Sequence, residues 1–178
     1  MAFFVEQTIF DTWPALRYVA YAIIALMLAV VQVLGLNLIA VESVTPDLLL
    51  ILTVWIAVSE GQFAGQFAGF GCGIILDIVS AAVLGTNALA KTIAGFIAGY
   101  FYKEEEGSER VGSYKFLLIV LFCAFIHNLV YFFFYIRPTE VPFLLFFLKY
   151  GVASTLYTTV AAIFPMLIKS RRRFYRYD

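Results

Sequence analysis

Apolar residues run along this chain in six long stretches, separated by short polar links and without strict alternation. A membrane-crossing helix needs about 20 apolar residues, whereas a barrel strand needs only about ten and alternates. The pattern therefore predicts helices. The first run extends from about Leu16 to Leu36 and ends in a link holding Asn37, Glu42 and Ser43. The second, 46–59, opens on Thr45-Pro46-Asp47, a helix start in which Thr caps, Pro suits the first turn and Asp favours the positive dipole end. Glu60-Gly61-Gln62 leads tightly into a third run, 62–82, and Gly85-Thr86-Asn87 into a fourth, 86–102, so these neighbours should be antiparallel. A hydrophilic loop, Lys103 to Ser113, precedes the fifth run, 115–136, and Arg137-Pro138-Thr139-Glu140 turns into the sixth, 141–168. The expected fold is an all-α integral membrane protein, a single transmembrane domain over 1–178 with about six transmembrane helices.

Composition agrees with this pattern. With 63% hydrophobic and 13% charged residues, 178 positions hold too few polar side chains to cover a water-facing globule. The 18% aromatic fraction supplies lipid-facing bulk and rings suited to the headgroup level. Cys72 and Cys123 fall inside apolar runs, without metal or disulfide spacing, and read as small packing residues. Glu6 and Asp11 precede Arg17 at the start, so no removable signal is expected; Phe3, Phe4, Ile9, Phe10 and Trp13 predict a short segment lying in the interface.

Charge gives the orientation. Lys169, Arg171, Arg172, Arg173 and Arg176 follow the last run directly and act as a topology anchor, which predicts a cytoplasmic tail, 169–178. Six crossings then place the N-terminus in the cytoplasm too, with the loop and Arg17, Lys103, Arg110 and Lys115 on the same side and Arg137 outside. The same tail suits membrane lipids with anionic headgroups, or a cytoplasmic partner. It abuts the membrane without a folded reader, so no nucleic acid partner is expected.

Small residues predict where helices touch. Gly61, Gly65, Gly69 and Gly73 recur every four positions along the third run, and Gly95 and Gly99 repeat the device in the fourth. Such faces let backbones approach closely, either within the bundle or against a partner's helix. Charges inside apolar runs are costly unless they meet protein, water or a partner. Asp47, Asp77, Lys91, His127, Asn128 and Lys149 all fall in the expected outer half and form a candidate intramembrane polar cluster, with Asp77 and Lys91 expected to pair. No phosphate loop, zinc spacing or nucleophile elbow is present, so no catalytic residue, metal ligand or cofactor is assigned.

The segment from Val44 to Tyr102 resembles the MreD family, the rod-shape-determining membrane proteins of bacteria. The features that carry the resemblance are Pro46-Asp47 opening an apolar helix, the series Gly61, Gly65 and Gly69, Asp77 closing the next helix, and Gly85 followed by Ala88-Leu89 and Gly95. Length, six-span plan and basic tail are also similar; Lys91 stands outside that family's pattern, and the last two runs match only in kind. The resemblance implies a non-enzymatic scaffold of the cell-elongation machinery in the bacterial inner membrane. It implies direct binding of the single-span protein MreC, with MreB, RodA and the elongation transpeptidase in the wider complex regulating peptidoglycan synthesis. It also implies a fold similar to the substrate-capture subunits of vitamin (ECF-type) transporters. The alternative is a small-molecule-binding subunit of a membrane transporter, with Asp47, Asp77, Lys91 and His127 lining an outward pocket.

Overall fold

The computed structural model describes residues 14–35, 40, 44–81, 83–103, 111–135 and 143–174. The helices are α1 (Pro14–Val30, continued by a π turn Val31–Gly35), α2 (Leu48–Glu60), α3 (Gln62–Val79), α4 (Thr86–Gly99) and α5 (Tyr114–Tyr135). A short α6 (Phe143–Phe146), a π turn (Phe147–Gly151), α7 (Val152–Ala161) and α8 (Ile163–Phe174) follow among the described residues. The expected N-terminal interface segment, the polar positions of the first link, loop residues 104–110, the turn 137–140 and Arg176 lie outside the described residues.

Among the described residues four helical stretches, Ala15–Gly35, Gln62–Val79, Tyr114–Phe134 and Phe143–Ser170, are long and apolar enough to cross a membrane. The chain is thus a helical membrane protein. The other two principal helices are shorter: α2 has 13 residues and α4 has 14, about 20 and 21 Å at the helical rise. Both fall short of the ~30 Å hydrocarbon layer.

α2 is the central helix. Nine of its residues are buried, which is why its sequence is apolar on every side. On one side Leu49, Leu52 and Ile56 meet Ala25 and Ala29 of α1 with Cys72 and Leu76 of α3. On the other, Leu50, Ile51, Val54, Ala57 and Val58 meet Ala94 and Ala98 of α4 with Phe116, Ile119, Val120, Cys123 and Ala124 of α5. Phe63, Phe67, Met27 and Phe164 are among the large apolar side chains that face outward.

The glycine series determines how α3 meets α4. A Cβ on Gly65 would stand 2.6 Å from the Gly95 carbonyl oxygen and 2.5 Å from the Ala57 Cβ; Gly95 is closed by the Gly65 backbone in return. One helical turn on, Gly69 lies against the Lys91 backbone, then Gly73 against Ala88, and at the other end Gly99 against Gln62. Hydrophobicity does not drive helices together in lipid, so this close van der Waals fit is what makes the antiparallel pair the tightest in the bundle. Gly71 points elsewhere and has open space around its Cβ direction. At Gly61 a φ of +97° turns the chain from α2 into α3, a conformation that favours glycine.

Candidate functional site

Asp47 ends an extended stretch and caps α2: its Oδ1 accepts from the Leu50 N–H at 2.9 Å. The helix start expected at Thr45-Pro46-Asp47 is therefore displaced. Asp47, with its short acceptor side chain, is the cap; Pro46 and Thr45 precede the helix. The other oxygen of Asp47 accepts from the Lys91 ammonium at 2.5 Å, across 44 residues of sequence.

Lys91 rises one turn into α4 and is fully buried. Its ammonium has three protons, and three acceptors surround it: Asp47 Oδ2, Asn87 Oδ1 at 3.2 Å and His127 Nε2 at 3.3 Å. That fit fixes the roles of its neighbours. With the Lys91 ammonium as donor, His127 accepts through Nε2 and carries its ring proton on Nδ1, a buried atom with no hydrogen-bond partner among the described residues. The His127 ring lies nearly parallel to Tyr131, at 9° and 6.1 Å between centroids.

Asp77 is not the partner of Lys91, contrary to the expectation from their matched depths. Its carboxylate closes the N-terminus of α4, accepting from Gly85 N (2.8 Å), Asn87 N (3.3 Å), Ala88 N (3.4 Å) and Asn87 Nδ2 (2.9 Å). Gly85, with a φ of +97°, has no side chain to cap that helix, so a carboxylate from the preceding helix does so. Asn87 then joins the two sites, donating to Asp77 and accepting from Lys91.

Two further helices complete the network. Gln32, on the π turn that ends α1, donates to Asp47 Oδ1 at 3.3 Å and accepts from Leu49 N at 3.2 Å. Thr158 on α7 accepts from Asp47 N at 3.0 Å. Each of the six apolar runs thus contributes one or two groups to a single connected set: Gln32, Asp47, Asp77, Asn87 with Lys91, His127, and Thr158.

Comparison with protein-family models, with curated proteins and with solved structures finds no match. What the chain can do is read from its own geometry.

Of the expected polar cluster, the structure joins Asp47, Asp77, Lys91 and His127. Asn128 turns to α7 and the π turn before it, its Nδ2 donating to Thr155 Oγ1 (2.9 Å) and to the Gly151 carbonyl (3.2 Å). Lys149 is exposed on the π turn, 5.2 Å from the Tyr150 ring centroid. Gly65, Gly69, Gly73, Gly95 and Gly99 are used inside the bundle, and Gly61 forms the turn between α2 and α3. Among the anchor residues, Lys169 and Arg171, Arg172 and Arg173 lie on α8. Gln32, Asn87, Thr155 and Thr158 were not singled out from the sequence. Their one signal is a polar side chain within an apolar run, which an uncharged residue shows only weakly.

The set is suited to holding helices together. Asp47 and Lys91 neutralise each other, Asp77 is held by N–H donors and the positive end of α4, and Asn87 and Gln32 each donate and accept within the network. Among the described residues, no three His, Cys, Asp or Glu side chains come together as a metal-ligand group.

Proposed function

We propose that this chain is a non-enzymatic membrane scaffold of the MreD type, which binds MreC in the bacterial inner membrane and helps regulate peptidoglycan synthesis and cell shape. The observation that carries the reading is where the resembling residues fall. Asp47, Gly65, Gly69, Asp77, Gly85, Ala88 and Gly95 all belong to one contact system that joins α2, α3 and α4. A pattern spent on packing and capping suits a protein whose task is to present a defined surface.

In this reading the chain crosses the membrane six times with both termini cytoplasmic, and the bundle is similar to the capture subunits of ECF-type transporters. The short helices α2 and α4 cross with the help of the capping segments before them. The glycine faces are occupied internally, so the MreC span docks on the outward apolar surface, and MreB, RodA and the elongation transpeptidase join through the wider complex.

A second reading, a small-molecule-binding transporter subunit, draws on the buried Nδ1 of His127, a donor that a ligand oxygen would accept from. Affinity purification of the tagged chain from native membranes in mild detergent separates the two. Near-stoichiometric recovery of a single-span, coiled-coil periplasmic protein is the expected result. Recovery of transporter ATPases or a tightly held vitamin would replace the first reading by the second.

A further inference from the structure

The last helix does not stop where its apolar sequence does. α8 runs from Ile163 to Phe174, and its backbone is held from inside: Met166 packs on the core, and the Ser170 backbone lies against Gly112, 3.4 Å from the position of a Cβ there. Phe164, Leu167 and Ile168 face outward along the same helix, at 71%, 52% and 46% exposure. The outward apolar surface therefore continues to the residue before Lys169.

Beyond that boundary the helix makes six more residues, 169–174, about 9 Å along its axis. One headgroup layer is about 5–8 Å deep. Positions 171–173 thus follow the outward apolar face over a length comparable to one headgroup layer. With Lys169 they make four cations in six residues, with no acidic residue among them. Guanidinium groups present paired donors that match phosphate oxygens, and a basic cluster beside a span attracts anionic lipid.

We propose that this helical extension of α8 is a binding surface for the phosphate headgroups of anionic phospholipids, beyond the topology anchor expected from its charges. The adjoining apolar face favours lipid over a soluble acidic protein, because a basic run that directly follows an outward apolar face meets headgroups first. The inference is independent of the scaffold reading.

The test is thermal unfolding of the purified full-length chain in detergent, with dioctanoyl phosphatidylglycerol or dioctanoyl phosphatidylcholine added. Phosphatidylglycerol should raise Tm more than phosphatidylcholine does, and high salt should erase the difference. R171Q/R172Q/R173Q should lose roughly half or more of that increment, while R171K/R172K/R173K keeps most of it. Equal shifts from the two lipids overturn the proposal, as does an unchanged increment in the Gln variant.

Discussion

The Lys91 ammonium sits 2.5 Å from Asp47 Oδ2, an ion pair between α4 and the cap of α2 with the Lys fully buried. Two charges in a bilayer interior are tolerable together and expensive apart. Removing one partner of a buried pair typically costs about 3–5 kcal/mol, because the other is left uncompensated. K91M should therefore destabilise the protein more than D47N/K91M, and a double-mutant cycle from thermal unfolding in detergent should show strong coupling. Additive losses would mean that the two side chains do not act as a pair.

Asp77 predicts a different behaviour. It caps α4 through four donors and has no direct link to Lys91, so exchanging the charges in D77K/K91D should rescue nothing. D77N keeps one acceptor oxygen and should lose about 1–2 kcal/mol, in the range of a lost helix cap, with D77A losing more. Both are read from Tm shifts. A charge exchange more stable than either single variant would restore the pairing that the matched depths suggest.

Glycines two residues apart should respond in opposite ways. G69A drives a methyl onto the Lys91 backbone, which cannot yield without separating α3 from α4, and should cost about 1–3 kcal/mol or more. G71A enters open space and should leave stability unchanged. Folded yield on fluorescence-detected size exclusion distinguishes them; equal losses would argue against the α3–α4 register described above.

His127 is the only histidine in the chain, so its ring nitrogens can be observed without assignment ambiguity. A Lys ammonium donating to Nε2 requires the neutral ring with its proton on Nδ1. Nitrogen-15 NMR of histidine-labelled protein in micelles should show a pyridine-type Nε2 and a pyrrole-type Nδ1. The reverse pattern would mean that Lys91 does not donate to this ring.

The helical membrane class is legible in the sequence because hydropathy and length are local properties, and the glycine spacing marks the α3 face that packs. The partner of Lys91 is not legible. Asp47 and Asp77 lie at similar expected depths, and only the placement of α2 between α1, α3, α4 and α5 decides which carboxylate Lys91 reaches. Nor are Gln32, Asn87 and Thr158, since an uncharged polar residue costs little enough to occur anywhere in a span. Gln32 reaches Asp47 from a π turn, a local rewinding for which the run around Val31–Gly35 holds no breaker until Gly35 itself.

The proposal to be tested is that the Asp47–Lys91 pair serves to hold the helices of the proposed scaffold together rather than to bind a ligand. D47N/K91M removes both charges while keeping the cap oxygen and most of the length of the Lys side chain. Affinity purification of this tagged double variant beside the wild type, from native membranes and at matched folded yield, tests the claim most directly. The account predicts that the folded variant recovers the same single-span partner at the same ratio; a folded variant that loses its partner, or releases a small molecule that the wild type retains, would contradict it.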